Sequence, residues 1–229
     1  MNLDGYQEIW FIDFEYQAED GERPVVNCMV AHELRTGQTL RYFAEELRGC
    51  RVPPFNTGPD SLVVAFFASA EMGCFLALGW AFPLHLLDLY VECRRLRNGT
   101  LGTRESSSLI GALAWLGLQH FIPPQKEEMR ELSLRGGPYT GNEQRQLLDY
   151  CQADVMALKP LFKKLLPNIS KQAALLDGNY MKAVAFMEHT GVPLDTNLYG
   201  LLKTHWNAVR LKLVQKVDKE TGFYDGFSF

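Results

Sequence analysis

Two carboxylates one residue apart, Asp13 and Glu15, stand inside the apolar and aromatic run Ile9-Trp10-Phe11-Ile12-Asp13-Phe14-Glu15-Tyr16. Side chains alternate along a strand, so the two acids share one face while Ile12, Phe14 and Tyr16 share the other. Burying both without a counter-charge costs roughly several kcal/mol each, and each acid raises the pKa of the other. A divalent metal ion between them removes both penalties. The alternative is an edge strand whose acids face water.

A second pair suits the same chemistry. Tyr150 and Asp154, four residues apart, lie on one face of a helix expected from about Asn142 to Leu166. Leu147, Leu148, Cys151, Val155, Leu158, Leu161 and Leu165 form its buried side, and Pro160 should kink or split it. Leu62 to Phe67 reads as a buried strand, Glu71 sits in the first turn of a helix that Ser69 can cap, and Asp88 lies within the apolar segment Leu86 to Tyr90.

Each of these residues also has a structural reading. Tyr150 could be a core residue with its hydroxyl at the rim, Asp154 and its neighbour Asp149 solvated helix acids, and Glu71 a residue favoured by the helix dipole alone. Asp88 could cap a helix or pair with an arginine. Arg94, Arg95 and Arg97 read as a solvated face that could also follow phosphates. The five histidines show no ligand spacing.

The elements that must position the acids follow from pattern. Val25 to His32 and Gln38 to Phe43 are β-rich runs joined through a turn, and with the opening strand they make an antiparallel start. A Pro- and Gly-bearing loop, Arg51 to Asp60, precedes the buried strand. Ser106 to Leu118 reads as a helix, Pro123-Pro124 as a break and Gly136-Gly137-Pro138 as a loop. Three β-runs followed by a strand and helices describe a mixed sheet with helices on its faces.

Composition sets wide bounds. The chain has 229 residues, 47% apolar and 22% charged, enough for a large core with an appendage. A net charge of -4 neither supports nor excludes a nucleic-acid partner, because an acidic metal cluster contributes to that sum. Five widely spaced cysteines without a Cys-x-x-Cys argue against a disulfide framework and a zinc site, and point to a reducing cytoplasm, which the resemblance given below would make that of a bacterium or a phage-infected host. No apolar run approaches the roughly 18 residues of a membrane span.

Asp13-Phe14-Glu15 on a first strand and Tyr150-x-x-x-Asp154 on a late helix resemble the first and third motifs of the DEDD exonuclease superfamily, tyrosine subclass. These are the proofreading 3′→5′ exonucleases of family A DNA polymerases. The second motif of that family is an asparagine, three residues and an aspartate. The matching place here, just beyond the buried strand, holds Phe67 and Glu71, a departure at both ends, and Asp88 is the rival of Glu71 for the third acid. Tyr180 to Asp195, YMKAVAFMEHTGVPLD, is similar to the passage from exonuclease to polymerase domain in that family, phage-borne members above all, and a helix from Asn197 to about Asp218 looks like the start of a thumb.

The resemblance implies a ribonuclease H-like mixed sheet flanked by helices over residues 1–168, and a helical thumb-like extension over 169–229. It implies two divalent ions, Mg²⁺ with Mn²⁺ as a substitute, held by Asp13, Glu15, Glu71 and Asp154, with Tyr150 orienting the attacking water. The substrate would be a single-stranded or frayed DNA 3′ end. A polymerase domain in cis would be the partner, although no palm or fingers follow and no synthesis is expected. An exoribonuclease of the same superfamily and a silent domain that positions DNA or a partner are the alternatives.

Overall fold

A computed structural model of the protein describes residues 1–19, 21–98, 108–118 and 126–224. Its organising strand is β1 (Glu8–Gln17), which is apolar on both faces and therefore central. On one side β1 pairs antiparallel with β2 (Val25–Glu33), which pairs with β3 (Thr39–Phe43). On the other it runs parallel to β4 (Ser61–Ala65), followed by β5 (Leu86–Asp88), giving the order β3-β2-β1-β4-β5.

The alternation along β1 sorts the core. Ile9 and Phe11 join Leu62, Val64 and Leu87 on the face covered by α6 (Gly141–Leu165), through Leu147, Cys151, Val155, Leu158 and Leu161. The shorter helices α3 (Leu89–Arg97) and α4 (Leu109–Trp115) complete that layer. Trp10, Ile12 and Phe14 face the other way, toward Met72 and Phe75 of α2 (Ala68–Ala77) and Leu47 of α1 (Ala44–Gly49). One further helix, α5 (Lys126–Arg135), packs against α6 and β1.

Several local expectations change. The fourth strand stops at Ala65, and α2 is capped at Phe67, so Ser69 lies inside the helix. Pro160 neither splits α6 nor ends it: the helix continues to Leu165. The carbonyl that loses its N–H partner there belongs to Met156, a residue on the exposed side where water can replace the bond. The helix expected over 106–118 is seen as α4, capped by Ser108, whose side chain accepts from the Gly111 N–H. Residues 106 and 107 of that expectation, and the Pro123-Pro124 break, lie outside the described residues.

The chain divides into two compact units, Met1–Thr190 and Gly191–Phe229. The expected boundary after residue 168 thus falls inside the first unit, because α7 (Lys171–Thr190) packs against α2 and β5. Its approach is close: a Cβ on Gly178 would lie 2.0 Å from the Leu86 carbonyl oxygen. The second unit is described as one helix, α8 (Thr196–Thr221). Asp195 caps it by accepting from the Leu198 N–H at 2.9 Å, and Gly222 ends it in the left-handed region, φ 62°. Among the described residues no helix is long and apolar enough to cross a membrane.

Candidate metal centre

The ladder between β1 and β4 ends at Phe11 and Val64, whereas β1 stays paired with β2 as far as Gln17. Asp13 and Glu15 lie on this projecting stretch, on the face that Ile9 and Phe11 present to α6. A bulge interrupts the register between Glu15 and Tyr16, a device that often re-aims side chains beside active sites. The middle of α6 meets the projecting stretch directly. The Cys151 thiol donates to the Asp13 carbonyl oxygen at 3.2 Å, and burial pushes that thiol's pKa well up, so it remains a donor.

The residue before Cys151 on α6, Tyr150, and the one three positions after it, Asp154, bring in the remaining chemistry. Carboxylate oxygens of Asp13, Glu15 and Asp154, all half-buried, lie within 4.8 Å of one another. Tyr150 is buried and hydrogen-bonds Asp154; burial, with the charges of Asp154, Glu15 and Asp13 behind it, raises its pKa far above 10. The tyrosine therefore keeps its proton and acts as a hydrogen-bond donor rather than a base. The start of α6 is pinned by a capping box in which Thr140 and Glu143 bond each other's backbone N–H, with Arg135 on Glu143 at 2.8 Å.

Glu71 stands apart from the converging trio but not from its field. Its side chain is buried, and its Oε2 has no hydrogen-bond partner. Burial, then the charges of Asp13 and Glu15, push its carboxyl well above the ordinary carboxylate range, with only the Phe14 backbone N–H pulling the other way and Asp88 adding to the rise. A buried acid with an orphaned oxygen beside two other acids is short of a cation. The three converging carboxylates offer oxygen donors of the hard kind, which suits a divalent cation.

Asp88 has a different occupation. It caps α3 by accepting from the Tyr90 N–H at 2.8 Å, and it also accepts from the Phe67 and Ala68 N–H groups at 3.0 and 2.9 Å. One buried carboxylate thereby fixes the starts of two helices. Phe67, held by it, adopts φ 68° and ψ 54°, a left-handed conformation that costs a bulky residue about 1–3 kcal/mol. Asp88 is thus the helix cap that one of its two expected readings made it, while its hold on the start of α2 and the strain at Phe67 were not evident from the sequence.

The other singled-out residues are occupied elsewhere. Arg95 pairs with Glu92 and Asp177, Arg97 lies over the Trp115 ring, and Asp149 pairs with Arg41 at 2.5 Å. His32 bonds Thr39 at 2.8 Å and His85 packs edge-on to Tyr6.

Neither a protein-family model nor a curated protein matches this sequence. Solved structures do. The catalytic core of RRP6 from Trypanosoma brucei matches with a TM-score of 0.54 at 12% identity, over 79% of this chain and 47% of that one. A structure described as the apo form of the nuclease matches with a TM-score of 0.49 at 14% identity, over 82% of this chain and 84% of that one. This chain thus spans about half the length of the RRP6 core. The likeness is one of fold, and the five-stranded mixed sheet flanked by helices is a ribonuclease H-like α/β fold.

Proposed function

We propose that this chain is a metal-dependent 3′→5′ exonuclease acting on single-stranded or frayed DNA ends, of the DEDD tyrosine subclass. The observation that carries the reading is the convergence of Asp13, Glu15 and Asp154, from a strand and a distant helix, with Tyr150 bonded to the last of them. Evolution of a stable core does not call for three acids within 4.8 Å; holding cations does. The ribonuclease H-like fold is compatible with this chemistry.

Asp13, Glu15 and Asp154 would hold the ions, with Glu71 completing the set through its unpartnered oxygen. When bound, two divalent ions supply Lewis acidity at a phosphodiester and lower the pKa of an attacking water. The protein's own residues position and exclude. Tyr150, fixed by Asp154 and unable to ionise near neutral pH, offers a directed O–H to an oxygen at the reacting phosphate. The Cys151 bond to the Asp13 carbonyl keeps helix and strand in register, so the spacing of the acids does not drift. The polymerase setting, with α8 as the beginning of a thumb and the first unit as a proofreading domain, is the finer part of the same proposal.

The test is degradation of matched 5′-labelled DNA and RNA oligonucleotides with Mg²⁺ or Mn²⁺ and with a chelator. Stepwise shortening of DNA from its 3′ end, abolished by chelation, is expected. Faster loss of the RNA would make the chain an exoribonuclease, and binding without hydrolysis in any metal would make it a silent positioning domain.

A further inference from the structure

Phe67 is the one described non-glycine residue with a positive φ, and the residue is 49% exposed. Both facts run against ordinary design. Asparagine or glycine would take the left-handed turn with less strain, and an aromatic ring gains little from standing in water. Yet three features hold the ring where it is. Asp88 fixes its backbone through the Phe67 and Ala68 N–H groups. Tyr90 meets the ring edge-on, with centroids 5.1 Å apart and planes at 81°. Phe66 packs on the same tyrosine at 5.7 Å.

Arg94, exposed and one turn further along α3, donates to the Tyr90 hydroxyl at 3.1 Å and lies 5.6 Å from the centre of that ring. The result is an exposed ring backed by a second ring and a guanidinium. Its place in the fold is specific. Phe67 follows the C-terminal end of β4, beside which β1 projects with Asp13 and Glu15, and it opens the helix that carries Glu71 one turn later.

We propose that Phe67, backed by Tyr90 and flanked by Arg94, is a stacking platform for a nucleobase near the 3′ end of the strand that enters the acid cluster, a subsite that rests on the nucleic-acid reading above. Every base has a π-face, so stacking of this kind accepts any sequence, as an enzyme acting on strand ends requires. Arg94 suits the phosphate next to the stacked base. The strain at Phe67 finds its reason in this use: the left-handed backbone turns the ring out toward the strand instead of into the core.

The experiment compares a 5′-labelled single-stranded hexathymidylate with a hexamer whose two 3′-terminal nucleotides are abasic. Binding is read by fluorescence anisotropy in Ca²⁺, a hard ion that carboxylates accept. The wild-type protein should bind the base-bearing strand roughly 5- to 150-fold more tightly, the range that one stacked base supplies. Phe67→Asn, which suits the left-handed backbone and should fold as judged by circular dichroism, should lose that preference, and Phe67→Tyr should keep it. Arg94→Ala should weaken both strands alike. Equal binding of the two strands by the wild type, or a preference that survives in folded Phe67→Asn, overturns the platform. Hydrolysis is scored separately: a protein that prefers the base-bearing strand but cleaves neither in Mg²⁺ refutes the exonuclease and upholds the platform, whereas one that cleaves both with equal kcat/KM does the reverse.

Discussion

Replacing Asp13 by asparagine separates a site built to hold cations from one in which the acids merely coexist. In a chelator, three carboxylates whose oxygens lie within 4.8 Å repel one another. At that distance a pair of unit charges costs about 3.5 kcal/mol at an effective dielectric constant near 20, and about 0.9 kcal/mol in water. All three acids are half-buried, and solvent screening draws the value toward the lower figure. Asparagine keeps the shape and removes two of the three repulsions, so the gain is about 2 kcal/mol. For a unit of this size that corresponds to a rise in Tm of about 4–8 °C in EDTA. The order should reverse with metal, since Mg²⁺ stabilises the wild type by mass action and has lost a ligand in the variant. Calorimetry in EDTA and across a Mg²⁺ titration reads both effects, and hydrolysis of a labelled single strand should be abolished. A lower Tm in EDTA, or hydrolysis near the wild-type rate, would refute the reasoning.

Three other outcomes are expected. Glu71→Gln should lower the rate and raise the Mg²⁺ concentration for half-maximal activity by at least about 10–100-fold, the loss typical even of an outer-shell partner, without lowering Tm. Asp88→Asn should lower Tm by an amount equivalent to about 2 kcal/mol, because an amide nitrogen would then face a backbone N–H in the core; a metal requirement that shifts in Asp88→Asn but not in Glu71→Gln would reverse the two assignments. The Arg135 bond to Glu143, helped by the Thr140 N–H, depresses the Glu143 carboxyl to about 2. A depressed acid contributes stability above its unfolded value of 4.5 and loses it as pH falls toward 2. Glu143→Gln should therefore melt below the wild type at pH 6, with the gap closing between about pH 4.5 and 2; a gap that is constant with pH would remove the ion pair from the anchoring of α6. Primer extension with deoxynucleotides should be undetectable, since the described residues hold a single cluster of three or more potential metal ligands, and measurable extension by the pure chain would contradict this.

The sheet and the pairing of its acids were legible because period-two alternation is a strong signal. Ile9 to Glu15 declared two faces, and the four-residue spacing of Tyr150 and Asp154 on an amphipathic helix placed them together. What escaped was governed by contacts between distant segments. The short helices α1 and α5 lack a long apolar stripe, so little in their residues distinguished them from loop. Phe67 takes a conformation its residue type disfavours, and only the Asp88 carboxylate, 21 positions later in sequence, compensates for it. The docking of α7 was hidden for another reason: its buried positions are Ala174, Gly178 and Ala185, small residues that bring backbones together without hydrophobic bulk.

That close seating has a consequence for how the protein can be divided. The strand against which α7 lies, β5, is three residues long and forms the border of the sheet, where unpaired backbone groups invite other chains to add a strand. Gly178 lets the helix sit tight against it, and any larger residue there would force the two backbones apart. A chain shortened to residue 168 would keep every acid of the cluster yet present its neighbours with an open border, and self-association would be its first symptom, ahead of any loss of the metal centre.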